Sequence, residues 1–214
     1  MEFIIRGKKT VLEKENCFNG INEQIIIDLS NDILDIRKVI SSLDKLGHFV
    51  AEDKEFLVSE LMELGFSKDE AMQIKKDSLA VLSEKELYKK IKRELGGLPF
   101  EISRQTSREE QFEGWMPVGV LGHVTSSNDA MLPFFSSVEG LLTGNINVIK
   151  TASGAHKVAM KMIEKLCEED ESLCPYFYVF PLSSKDKELL TELFGLCNTV
   201  AVWGSDGAVS GDRE

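Results

Sequence analysis

Three segments of the sequence carry residues that could do chemistry, and in each an apolar run gives way to small or polar residues. The first is Gly122-His123-Val124-Thr125-Ser126-Ser127-Asn128. Small residues there let a ligand approach the backbone, and the Asn128 amide can donate to an oxygen that gains negative charge. The same asparagine can equally cap a following helix. The second segment, Gly144 to Ser153, ends its apolar run at Lys150, just before a helical pattern begins. A lysine there can reach a ribose hydroxyl or a phosphate; a plain surface lysine is the other reading. The third, Trp203-Gly204-Ser205-Asp206-Gly207, puts Gly-Ser at a helix start, where free amides and the helix dipole favour a pyrophosphate. No GxGxxG follows the first apolar run, so the ordinary dinucleotide fingerprint is missing.

These residues can meet only if strands deliver them to one edge. Val118 to Thr125 is a short, nearly continuous apolar stretch, as expected of a strand buried on both faces. The pattern then predicts a helix over Met131–Leu142, a strand over Asn147–Lys150, a helix over Gly154–Glu168, a strand over Tyr176–Phe180, a helix over Lys185–Leu196 and a strand over Thr199–Trp203. Strand and helix alternating in this way specify an α/β fold with a doubly wound parallel sheet, whose ligands sit at the carboxyl ends of the strands.

The first half reads differently. Phe3, Ile4 and Ile5 suggest an edge strand within the first ten residues. From about Asp28 to Gly97 the pattern is helical. Ile33, Leu34, Ile36, Val39, Ile40, Leu43 and Leu46 line one helix face, with Gly47 as its stop. Phe56, Leu57, Leu61 and Leu64 suggest a second helix ending near Gly65. Ser67 and Glu70 have the spacing of a capping box. Leu87, Tyr88, Ile91 and Leu95 mark another helix before Gly96-Gly97. The basic cluster Lys89, Lys90, Lys92 and Arg93 lies among Glu84, Glu86 and Glu94 and reads as a solvated helix face. The expected division is a mostly helical segment, 1–115, packed on a nucleotide-binding domain, 116–214.

Composition narrows the function. A net charge of −11 over 214 residues argues against sequence-independent nucleic-acid binding, which needs a basic face. No run approaches the roughly 18 apolar residues of a membrane span, and the N-terminus lacks the layout of a signal peptide. Cys17, Cys167, Cys174 and Cys197 show no CxxC pair and no ligand-like spacing with the histidines, so free thiols in a cytoplasmic protein, with no metal, are expected.

Taken together and in order, these segments resemble the cofactor-binding half of the aldehyde dehydrogenase superfamily, from about Pro117 to Ala208. Within that stretch, Ser126-Ser127-Asn128-Asp129-Ala130, Val138 to Asn145 and Val148-Ile149-Lys150 resemble the LuxC-type acyl-CoA reductases, which supply fatty aldehyde in bacterial luminescence and occur in other bacteria too. The resemblance implies a Rossmann-like, aldehyde-dehydrogenase-like fold and an NAD(P)H-dependent reduction of an acyl-CoA or acyl-protein thioester through a cysteine thioester. By the same resemblance Asn128 holds the thioester oxygen, Lys150 binds the adenosine ribose, and Gly204 and Ser205 form the turn near the pyrophosphate. Ser126 belongs to the cofactor loop. Many NAD-using members place a glutamate three residues after the lysine; Ser153 stands there instead, which leaves room for a 2′-phosphate and favours NADPH over NADH.

In the family the nucleophilic cysteine lies tens of residues beyond the Gly-Ser turn, and none of the four cysteines here matches it. Two expectations follow. Either the chain is the cofactor-binding portion of a reductase and turns nothing over alone, or it is a truncated, non-catalytic module that docks on a full-length homologue or an acyl-transfer partner. A homo-oligomer is compatible with both.

Overall fold

The structure is a computed structural model that describes residues 1–31, 33–101, 103–104, 112–125, 129–151 and 156–204. The chain opens with a hairpin of β1 (Glu2–Ile5) and β2 (Lys8–Val11), then α1 (Ile21–Leu29). Four helices follow: α2 (Ile36–Glu52), α3 (Val58–Glu63), α4 (Lys68–Leu82) and α5 (Glu84–Leu95). A two-residue pair, β3 (Ser103–Arg104) with β4 (Phe112–Glu113), leads into the alternating half. That half runs β5 (Val120–Val124), α6 (Leu132–Leu142), β6 (Ile146–Lys150), α7 (His156–Glu169), β7 (Phe177–Phe180), α8 (Lys187–Gly195) and β8 (Thr199–Val202).

Among the described residues the main sheet has the order β2-β1-β7-β6-β5-β8. The four strands β7, β6, β5 and β8 are parallel, and the hairpin adds antiparallel through Ile4 opposite Val179. The sheet is therefore mixed. Its parallel part is the doubly wound arrangement read from the sequence, and the first strand is not the edge, because β2 lies outside it. The chain steps outward from β5 to β6 to β7, then returns to lay β8 on the other side of β5. The strand order thus reverses between β5 and β8, and in such sheets a ligand crevice opens at the carboxyl ends there.

Alternation along the strands divides the core in two. Ile149, Phe177 and Val179 face α2, α6 and α7 and join the larger apolar cluster with α3, α4 and α5. Val120, Val148, Tyr178 and Phe180 face the other way, against Ile21 and Ile25 of α1 and Leu193 of α8. Strands β6 and β7 are buried throughout, which is why neither shows the regular apolar–polar alternation of a half-exposed strand.

Two local expectations need correction. Gly47 does not stop α2; the helix passes through it. A Cβ there would lie 3.1 Å from Leu82 Cβ, so the glycine marks where α2 and α4 touch. A helix begins earlier than Asp28: α1 buries Ile21, Ile25 and Asp28 at four- and three-residue steps while Ile26 and Ile27 stay exposed, which blurs its periodicity. The capping box is present, with Ser67 Oγ accepting from the Glu70 amide at 3.3 Å and Glu70 accepting from the Ser67 amide at 2.8 Å. The basic face of α5 is ion-paired: Lys90 reaches Glu139 at 2.8 Å and Glu94 at 3.4 Å, and Lys89 reaches Glu86 at 3.1 Å.

Candidate functional site

The strand ends of β5, β6 and β8 are held in line at their carboxyl side. Val124 is opposite Lys150 on one flank and Val202 on the other. Each ladder then extends one residue further. The Thr125 amide donates to the Lys150 carbonyl at 3.2 Å, the Thr151 amide to the Phe180 carbonyl at 3.2 Å, and the Trp203 amide to the Val124 carbonyl at 2.8 Å. At the amino end, Asn145 Oδ1 accepts from the amides of Val118 (2.8 Å) and Gly119 (3.1 Å), and Asn198 Oδ1 accepts from Val120 (2.8 Å). These two asparagines set the entry of β5, and so where it exits.

At the exit stand Lys150 and Thr151, whose side-chain polar groups have no protein partner among the described residues. Lys150 is 9% exposed, and among the described residues nothing hydrogen-bonds or ion-pairs with its ammonium. The hydroxyl of Thr151, also buried, has no partner among them either. Burying a hydroxyl unpaired costs free energy, so Thr151, directly after a lysine with no partner among the described residues, points to a ligand at this strand end. The chemistry is that of hydroxyl or phosphate recognition: an ammonium and a hydroxyl, next to the start of α7.

Of the residues singled out from the sequence, Lys150 and Gly204 fall within the described structure, Lys150 at the end of β6 and Gly204 two residues after β8, the strands that flank β5. Ser126, Asn128, Ser153 and Ser205 lie outside the described residues. One neighbour bears on Asn128: the first amides of α6, those of Met131 (2.8 Å) and Leu132 (3.2 Å), donate to Asp129 Oδ1. The aspartate caps this helix.

The sequence reading assigned no role to a buried polar chain beneath the site. His123, 1% exposed, sits between Asn147 Oδ1 (3.0 Å from Nε2) and Ser136 Oγ (2.7 Å from Nδ1). Ser136 Oγ also accepts from the Trp203 indole N–H at 2.9 Å. Burial pushes the His123 imidazole down to about 4, so it is neutral near pH 7. A cavity of about 260 Å³ runs alongside, between α5, α6, β5 and β8, with Leu121, Ala201 and Trp203 among its walls. The signal available in the sequence was the two-residue step from Leu121 to His123, which puts a histidine on an otherwise apolar strand face.

Cys17, Cys167 and Cys197 are poor nucleophiles here. Burial pushes the Cys17 thiol up to about 11 and Cys197 up to about 12, and burial together with the neighbouring Cys174 raises Cys167 further. A thiol so shifted holds almost no thiolate at neutral pH.

The family model of the acyl-CoA reductases (LuxC) matches residues 32–213. Among solved structures, the chain is similar to the NADP-dependent glyceraldehyde-3-phosphate dehydrogenase of Bacillus halodurans C-125 in complex with NADP. The identity is 13% and the TM-score 0.60, over 94% of this chain and 48% of that one. It is also similar to a glyceraldehyde-3-phosphate dehydrogenase of Methanocaldococcus jannaschii complexed with NADP (18% identity, TM-score 0.60, 90% and 46% covered). A third likeness is to an NAD-dependent benzaldehyde dehydrogenase of Corynebacterium glutamicum (13%, 0.57, 93% and 48%). At these identities the likeness is one of fold, and the chain spans just under half the length of each. No curated protein matches the chain.

Proposed function

The chain belongs to the LuxC family of acyl-CoA reductases, and from that premise we propose that it is the cofactor-binding portion of an NADPH-dependent reductase that converts fatty acyl thioesters to aldehydes. The observation that carries this reading is the carboxyl end of β6, where the largely buried Lys150 is followed by the Thr151 hydroxyl, buried with no partner among the described residues. They fit the ribose and phosphate side of a nicotinamide dinucleotide. In the reaction, the thioester carbon gains a hydride, its C–S bond breaks, and the thiol leaves with a proton. Bound at the strand ends, a reduced nicotinamide supplies that hydride.

This chain's residues bind and orient. Lys150 donates to the adenosine ribose, and the Gly204-Ser205 turn after β8 receives the pyrophosphate on its amides. Ser126, which follows β5 in the sequence, is assigned to the cofactor with them. Ser153 stands where a carboxylate would repel a 2′-phosphate, which favours NADPH over NADH. Asn128 donates to the thioester oxygen as it gains charge. None of the four cysteines is the nucleophile: the raised thiols of Cys17, Cys167 and Cys197 support this, as does Cys174, buried against Gly7 on the hairpin, away from the β5 exit. The 214-residue chain alone therefore turns nothing over. Its partner is an acyl-CoA or acyl-protein thioester.

Calorimetric titration with NADPH and NADH tests the proposal. Tighter binding of NADPH is expected. Equal affinities or an NADH preference would overturn the role of Ser153, and no binding of either would overturn the cofactor reading. Thioester-dependent NADPH oxidation that a single cysteine change abolishes would show that the nucleophile lies within the chain.

A further inference from the structure

The hydrogen bonds around His123 have one consistent direction. Asn147 Nδ2 donates to the carbonyls of Asn145 (2.9 Å) and Tyr176 (3.2 Å), so its Oδ1 is what faces His123 Nε2. An amide oxygen only accepts; Nε2 therefore carries the proton. In the neutral ring Nδ1 is then a bare acceptor and takes the Ser136 O–H. With its proton committed, Ser136 Oγ accepts from the Trp203 indole. The chain runs from the sheet interior, through α6, to the last residue before Gly204.

Trp203 is fastened twice as a result: by its backbone amide to Val124 of β5 and by its indole to Ser136 of α6. The residue is 42% exposed and borders the cavity, so burial alone holds it weakly. A directional bond to a buried hydroxyl fixes it instead. Buried polar chains cost free energy unless every member is satisfied, and satisfied ones admit a single arrangement.

We propose that His123 and Ser136 are positioning residues: they hold the Trp203 indole and thereby set the exit of β8, so that the Gly204 turn meets the cofactor pyrophosphate. This rests on the cofactor reading above and adds residues to it that touch no cofactor themselves.

The test uses Trp115→Phe, which leaves Trp203 as the sole indole, since the sequence has two tryptophans. In that background Ser136→Ala should move the Trp203 emission to longer wavelength and weaken NADPH binding about tenfold, the cost of stranding one donor. Ser136→Thr should restore both, because the adjoining cavity has room for a methyl group. Trp203→Phe should weaken binding as much as Ser136→Ala, and the two together no further, as coupled residues do. Unchanged emission in Ser136→Ala, or an affinity within about twofold of the parent, overturns the proposal. A parent protein that binds neither NADPH nor NADH overturns the cofactor reading instead, and is told apart because the emission shift would persist.

Discussion

Thr125 engages the carbonyl of Lys150 twice, through its backbone amide at 3.2 Å and its hydroxyl at 3.4 Å. The strand carrying the lysine is thereby tied, at its last residue, to the strand whose exit leads into Ser126 and Asn128. Backbone pairing fixes Lys150 from behind while its ammonium has no partner among the described residues. That division suits a binding group: the main chain is rigid and the charge is free for a ligand.

Lys150→Met keeps the aliphatic stem and removes the charge. Affinity for NADPH should fall about 10- to 100-fold, the equivalent of roughly 1–3 kcal/mol for a charge-assisted hydrogen bond. The cofactor-free protein should melt at a slightly higher temperature, because a largely buried lysine with no partner among the described residues loses hydration on folding. Calorimetry and thermal melting check both; a lowered melting temperature with unchanged affinity would make Lys150 a structural residue.

Asn128→Ala in the intact reductase should lower turnover by about 10²–10³, the usual loss of one oxyanion donor, and leave the melting temperature unchanged. The cap of α6 is supplied by Asp129, so the complementary change, Asp129→Ala, should cost about 1 kcal/mol of stability. Steady-state kinetics and chemical denaturation on the two variants separate the roles. Should Asn128→Ala lose stability and keep its rate, the oxyanion assignment fails.

His123 makes the fold sensitive to acid. Its imidazole titrates at about 4 when folded, against 6.5 for the free group. Between those values the unfolded chain binds a proton that the folded one does not, so stability falls as pH drops. The contribution is fully present above 6.5, shrinks by about 2 kcal/mol from pH 7 to pH 5, and levels off below 4. Urea denaturation at pH 7 and pH 5 should show that difference shrinking in His123→Gln; an identical slope with pH in both proteins would refute it.

Gly140→Ala sets helix propensity against packing. In an open helix the change would stabilise by up to about 1 kcal/mol. Here the new Cβ would fall 2.0 Å from Asn147 Oδ1, on an amide pinned by its bonds to His123, Asn145 and Tyr176. A net loss of about 1–3 kcal/mol is expected from the overpacking, read as a lower denaturation midpoint. A gain in stability would show that Asn147 moves freely.

Period and punctuation in the sequence are enough to place β5 to β8 and α6 to α8 within about two residues. Buried parallel strands read as nearly continuous apolar runs, and glycine or small residues mark their ends. Lys150 and Gly204 were legible for the same reason: each follows directly on such a run. Local pattern could not show that the hairpin at Glu2–Val11 joins the sheet beside β7, since that pairing joins residues far apart in sequence. Nor could it show that Gly47 is a helix contact rather than a helix end, because only the approach of Leu82 distinguishes the two. The chain of Asn147, His123, Ser136 and Trp203 draws its members from β6, β5, α6 and the residue after β8, and its proton order depends on which carbonyls Asn147 meets. Sequence determines which groups can donate and accept; the packing of α6 against β5, β6 and β8 decides which of them meet.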